Sequence, residues 1–240
     1  MEAPVVVVAV PTTYSGSEMT AIWGVTEGDT KRTGRDPRVA PVLVVYDPAL
    51  TLSLAAKTSA ISGLNAVAHC VEALYAVDAS PMSTLVATEG LTLLARALPR
   101  VVEQPDDLVA RTDALLGAHF AGLALNLAEM GLHHKLAHVL GGLGLPHALT
   151  HAILLPHVVE FNTPAAPEAM ARVAGVLGAT DAALGLRALN RRLGITETLR
   201  DGGLRKESIA RAAELAGQGN YPNPEEATPE AVRGILERAW

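Results

Sequence analysis

Five of the eight histidines in this 240-residue chain fall into a pattern that could do chemistry. Asn65 and His69, His134 and His138, and His147 and His151 are each four residues apart. In a helix that spacing puts both members of a pair on one face. The flanking residues are apolar, among them Leu64, Val67, Leu136, Val139, Ile153 and Leu154, so the face is not freely solvated. A buried imidazole needs a partner. Shared metal ligation is one way to provide it, since neutral imidazole is the commonest nitrogen ligand and also titrates near neutrality as an acid or base. Separate histidines, each bonded to a backbone carbonyl, are the alternative, and three pairs in one chain weigh towards a shared site. His133 faces a different side of its helix from His138 and is expected only to line the cleft. His119 and His157 lie outside the spacing and are assigned to packing.

A second candidate is Pro11-Thr-Thr-Tyr-Ser-Gly-Ser-Glu18, which follows a β-branched run. Hydroxyls and a glycine at the carboxyl end of a strand suit a phosphate or ribose ligand in an open α/β sheet. No GxGxxG pattern accompanies them, and a helix N-cap with Glu18 in the first turn explains the same residues equally well. Lys31, Arg32, Arg35 and Arg38 form a basic cluster, read as a solvated loop unless an anionic ligand lies nearby.

The elements that must position these groups are mostly helical. Residues 4–10 and 41–46 read as strands buried on both faces, as in a parallel sheet. From Ala56 onward, apolar residues recur at three- and four-residue spacing over 62–76, 81–98, 108–128, 132–140, 148–162, 167–177, 181–193 and 204–216. These are eight expected helices, separated by breakers such as Pro99, Pro105, Gly141, Gly142, Gly144, Pro164, Gly194 and the turn at 220–224. Hydrophobic residues make up 49% of the chain and aromatics 3%, which favours packed helices over a β-sandwich. A net charge of −6 and the lack of a Lys/Arg run remove the electrostatic attraction that nucleic acids and anionic membranes require. Cys70 stands alone, so no intrachain disulfide forms, and no apolar run reads as a bilayer span or signal peptide. The expected setting is the cytoplasm and the expected partner a small molecule.

Several separate stretches, in order, carry a resemblance. Pro11-Thr-Thr-Tyr-Ser-Gly-Ser-Glu-Met-Thr20, Gly34-Arg-Asp-Pro-Arg38, Ser62-Gly-Leu-Asn-Ala-Val-Ala-His69, Leu132-His-His-Lys-Leu-Ala-His138 and Leu145-Pro-His147 resemble the iron-containing alcohol dehydrogenases. Within them, Tyr14 and Asn65 favour the maleylacetate reductases. The resemblance implies a mainly α chain: the C-terminal helical domain of a dehydroquinate synthase-like, iron-containing alcohol dehydrogenase fold (56–240). Before it would come the last strands of an α/β dinucleotide-binding domain (1–55), whose Gly-Gly-Gly-Ser phosphate loop is not in this sequence, so a truncated chain is expected.

The implied activity is NADH- or NADPH-dependent reduction of maleylacetate, a small dicarboxylate, to 3-oxoadipate in aromatic-compound degradation. Family position implies Asn65, His69, His134 and His147 at the Fe²⁺ or Zn²⁺ site. Asn65 stands where alcohol dehydrogenases have Asp, which removes the anionic ligand and should lower metal affinity. His134, His138 and Lys135 are then expected to stabilise the enolate and deliver the proton, with His69, His133 and His147 available to the substrate. Thr12, Thr13, Ser17, Lys31 and Thr51 would line the cofactor cleft. The loop 141–147 is one residue shorter than the family's usual loop. A metal-dependent alcohol or aldehyde dehydrogenase and a non-catalytic helical module are the alternatives, and homodimers are common in the family.

Overall fold

The computed structural model describes residues 6–27, 30–218 and 221–240, with the backbone alone at 26–27 and 30–33. Among these, every strand precedes Ala56 and every α-helix follows it. β1 (Val8–Ala9) pairs in parallel with β4 (Leu43–Val44), Val8 opposite Leu43. Burial on both faces is not what the structure shows: Val8 and Leu43 are each about half exposed, at 52% and 53%. No third strand of the described residues adds to this pair, so its outward side chains stay open.

Between these strands lies an antiparallel hairpin, β2 (Ile22–Glu27) with β3 (Thr30–Arg35), where a basic loop was expected. The basic residues of β3 hide a strand whose partner supplies its apolar contact. Trp23 lies over Gly34, where an added Cβ would come within 2.6 Å of the indole. Arg35 reaches across to the Asn126 side chain and backbone.

The helices are α1 (Ala56–Tyr75), α2 (Pro81–Glu103), α3 (Leu108–Leu127), α4 (Leu132–Gly142), α5 (His147–Asn162), α6 (Pro167–Val176), α7 (Ala182–Arg192), α8 (Ser208–Gly217) and α9 (Pro229–Ala239). Four differ from expectation, one of them α8, which starts at Ser208 and not at the expected 204. α1 starts six residues before the expected 62, its first turn carrying little apolar periodicity. α2 runs through Pro99, whose ring is buried, and continues to Glu103. α9 was overlooked altogether, although Thr228 caps it by accepting from the Ala231 N–H at 3.2 Å, Pro229 opens it, and Val232, Ile235 and Leu236 form its inner face.

Two cores share one helix. α1, α2, α3, α6 and α7 enclose the first, and α4, α8 and α9 close the second. α5 serves both, giving Ala152, Leu155 and Val159 to one and Ile153, Leu154 and Val158 to the other. α3 is long and apolar enough to cross a membrane by length and composition, but here it packs against α1 and α2 in the first core.

The Pro11–Glu18 segment is pinned to this bundle. Gly16 takes φ +77°, and its backbone lies so close to α3 that a Cβ on Gly122 would sit 2.0 Å from the Gly16 carbonyl oxygen. Next to it Tyr14 is fully buried, its N–H donating to Ser62 Oγ at 3.3 Å and its hydroxyl to Thr51 Oγ1 at 3.1 Å. Arg111 of α3, also fully buried, donates to the Tyr14 hydroxyl (2.8 Å), the Thr51 carbonyl (2.6 Å) and the Pro105 carbonyl (2.6 Å). Glu18 accepts from the Tyr46 hydroxyl at 2.9 Å and caps no helix, and no side-chain cap closes the short turn Ser17–Met19.

Two outcomes follow from this anchoring. Gly122→Ala should force the loop off α3 and cost about 1–3 kcal/mol, read as a lower denaturant midpoint, because the clash is with backbone that cannot swing aside. Thr51→Val, which leaves Tyr14 and Arg111 short of an oxygen in a dry site, should cost a similar ~1–3 kcal/mol. Ser17→Ala, at an exposed position, should stay within about 0.5 kcal/mol of the parent.

Candidate active site

The three histidine pairs meet. Asn65 and His69 from α1, His134, Lys135 and His138 from α4, and His147 and His151 from α5 line one cleft of about 390 Å³, with Ser17 and Thr20 from the anchored loop on its rim. Helical spacing explains each pair, and the packing of α1 and α4 against α5 brings the pairs together. The His69 and His134 rings stack with centroids 4.8 Å apart, and His134 and His151 meet edge to face at 4.8 Å. Farther out His138 stacks on His147 at 5.7 Å, and His147 Nε2 lies 3.2 Å from His151 Nε2.

The site is graded from dry to wet. His69 and His151 are buried, whereas His138 and His147 are exposed. Burial holds the His69 and His151 pKa values well below the ordinary histidine range, and the neighbouring imidazoles add to the effect. Both rings are therefore neutral at pH 7.

Glu72, absent from the sequence reading, lies behind the histidines. It is fully buried on α1, one turn past His69. Its Oε1 accepts from the Gly131 N–H at 3.0 Å, and its Oε2 is hydrogen-bonded to His134 Nδ1 and lies 3.4 Å from His133 Nδ1. Burial alone would raise its pKa, but the imidazoles of His134 and His133 outweigh that and hold it well below the usual carboxylate range. A glutamate within an apolar helical run was the available signal, since an acid there must find a partner. His133 is also placed differently from expectation. It does not line the cleft but is fully buried behind it, donating from Nε2 to the His151 carbonyl at 3.0 Å.

The remaining expected residues divide. Ser17 and Lys135 reach the cleft; exposed Thr12 and half-buried Thr13 are on the same loop but do not line it. Thr51 lies elsewhere, because its hydroxyl is used within the fold, donating to the Pro48 carbonyl at 2.8 Å while it accepts from Tyr14. The side chains of Lys31 and Arg32 lie outside the described residues, as do residues 4–5 of the first expected strand and 219–220 near the expected turn. His119 packs edge to face on Tyr46 with centroids 5.6 Å apart. His157 is partly buried away from the cleft, and burial and nearby Arg187 lower its pKa to about 4.

The donors facing the cleft suit a divalent cation. Asn65 Oδ1, His69 Nδ1 and His134 Nε2 are buried without hydrogen-bond partners, and with His147 they form an amide-and-imidazole set of the kind that zinc or ferrous iron accepts. A second grouping also appears, His133, His134 and His151, whose donor atoms lie within 4.8 Å of one another.

Comparison with known proteins agrees with this geometry. Residues 59–240 match the model of the Fe-containing alcohol dehydrogenase family, C-terminal. The chain is 50% identical over 231 residues to maleylacetate reductase of Sphingobium indicum, covering 96% of this chain and 66% of that protein. It is 48% identical over 235 residues to maleylacetate reductase of Pseudomonas knackmussii, covering 98% and 67%. The crystal structure of maleylacetate reductase from Rhizobium sp. superimposes with a TM-score of 0.93 at 44% identity, over 97% of this chain and 67% of that one. This chain thus spans about two thirds of the length of the relatives it matches. With the family model covering most of its length and the helical fold shared throughout, the chain belongs to the Fe-containing alcohol dehydrogenase family.

Proposed function

We propose that this chain is the helical catalytic part of a maleylacetate reductase, which uses NADH or NADPH to reduce maleylacetate to 3-oxoadipate. The observation that carries the reading is the cleft itself: His134, Lys135 and His138 side by side, with the His134 Nδ1 bonded to a buried carboxylate and its Nε2 free of protein partners. Its support from relatives is their shared name at about half identity.

In this reading a bound nicotinamide would supply a hydride to the alkene carbon β to the ketone; the alkene pair would then form the enolate double bond and the carbonyl pair would rest on the ketone oxygen. Lys135 supplies positive charge and N–H donors to that oxygen. His134 or His138 then gives a proton to the carbon α to the ketone, restoring the carbonyl. His69 and His147 are available to the substrate carboxylates; His133, buried behind the cleft, is not. Thr12, Thr13, Ser17 and Lys31 are assigned to the cofactor side, whereas Thr51 acts by holding the loop. Asn65, His69, His134 and His147 would hold a divalent ion, which when bound supplies Lewis-acid stabilisation of the substrate oxygen. Their neutral charge argues for weak retention, and the reaction is assigned to the cytoplasm on the lone, buried Cys70.

The second reading, a metal-dependent alcohol dehydrogenase, is favoured by the orphaned Asn65 and His69 atoms. The two readings separate in one assay, in which oxidation of NADH and NADPH is followed with maleylacetate and with simple aldehydes. The chain is tested alone and joined to the leading segment of the Sphingobium relative, before and after chelation. Maleylacetate-dependent oxidation that survives chelation is expected, with His134→Ala lowering the rate by about 10²-fold or more and His138→Ala by at least about tenfold. Parent rates in both variants, or activity confined to aldehydes and lost with the metal, would overturn the proposal.

A further inference from the structure

His134 and Glu72 are placed by the same helix end. α4 starts at Leu132, so Gly131 is its N-cap and His134 the third residue of its first turn. The Glu72 carboxylate approaches that N-terminus from α1, and one oxygen takes the Gly131 N–H while the other meets His134 Nδ1. The adjacent Leu132 N–H donates to Asn223 Oδ1 at 3.3 Å. Asn223 is itself fixed by exchange of hydrogen bonds with Asn162, at 3.2 and 2.8 Å. An anion at a helix N-terminus gains from the macrodipole and from N–H groups the helix cannot satisfy. Gly131 gives the room: a Cβ there would fall 2.7 Å from the Pro222 carbonyl oxygen. The carboxylate is therefore fully buried and held at both oxygens.

We propose that Glu72 is a positioning residue that fixes the tautomer of His134, holding the proton on Nδ1 so that the Nε2 lone pair faces the cleft. An ionised carboxylate only accepts, so the imidazole nitrogen facing it must carry hydrogen. In a neutral ring the other nitrogen then does not. His134 Nε2, buried and without a protein partner, thereby becomes the atom that takes up a proton in the cleft and passes it on, while Glu72 holds the Nδ1 proton throughout. His133 donates from Nε2 to the His151 carbonyl and its Nδ1 stands 3.4 Å from the same Glu72 oxygen, so His134 has the shorter contact with that oxygen. Gln at position 72 keeps an acceptor for Gly131 but turns an N–H towards His134, which would then accept at Nδ1 and carry its proton on Nε2, pointing into the cleft.

The catalytic part of this role rests on the reductase reading, whereas the tautomer does not. The test is made on the whole chain, labelled with ¹⁵N at histidine, by long-range ¹H–¹⁵N correlation at pH 8, with His134→Ala to assign the ring and circular dichroism to confirm folding. The parent should show His134 as the Nδ1–H form, and Glu72→Gln should convert it to the Nε2–H form. A parent ring in the Nε2–H or doubly protonated form, or a Glu72→Gln spectrum unchanged at His134, overturns the proposal. Should Glu72→Gln not fold, the parent spectrum decides together with His133→Gln: retention of the Nδ1–H form supports Glu72 as its cause, and loss of it overturns that. In the active, joined enzyme Glu72→Gln should lower kcat at least tenfold with KM little changed. That result failing while the tautomer result holds would count against the reductase reading alone.

Discussion

One carboxylate, fully enclosed, decides how the helices around the cleft fit together. Glu72 can remain ionised in a dry interior only if donors surround it, and they come from α4: the Gly131 N–H at the helix start and the ring of His134 in its first turn. Breaking such a buried set by removing one partner typically costs about 3–5 kcal/mol, because it leaves a charge uncompensated. The contact therefore sets the register of α4 against α1. That register places His134 next to His69 and, through the α4–α5 packing, next to His151. The geometry of the cleft follows from satisfying one buried charge.

The same logic operates on the other side of the cleft, with the sign reversed. Arg111 is a buried cation that meets only oxygens of neutral groups, the Tyr14 hydroxyl and the Thr51 and Pro105 carbonyls. It joins α3 to the loop that ends in Ser17, much as Glu72 joins α1 to α4. Between these two anchors lies α5, whose buried apolar residues face both cores and bring each of them up to the histidines. The rim of the cleft and its floor are thus held by separate polar links, and each link is enclosed by apolar packing that keeps water from competing for it.

How much of this was legible in the sequence depended on whether the signal was local. Pairs four residues apart are a local property, and Asn65, His69, His134, His138, His147 and His151 all reached one cleft. Which side of α4 faces inward is not local, and so His133 was placed in the cleft although the packing buries it behind. Thr51 was assigned to the cofactor cleft by the resemblance, but a hydroxyl suits a ligand or the fold equally well, and only the position of Arg111, sixty residues away, shows which. The β2–β3 hairpin was concealed by Lys31, Arg32 and Arg35, because charge patterning dominates a short strand whose apolar cover, Trp23, belongs to its neighbour. α9 was a different case, since its cap and its apolar spacing were both present in the sequence.

Asn65 and Glu72 together change what the missing carboxylate means. Read alone, Asn65 left an all-neutral set of candidate metal ligands, Asn65, His69, His134 and His147. The negative charge is nevertheless present, two turns along the same helix and behind the ring of His134, where it contacts no ligand directly. A carboxylate in the cleft would neutralise a bound cation; a carboxylate behind an imidazole raises the basicity of that imidazole and fixes its direction. Chemistry that depends on a tightly held ion loses by the exchange. Chemistry that depends on proton delivery and on an oriented donor or acceptor at His134 gains from it, because the charge acts through the ring and leaves the cleft open to an anionic substrate.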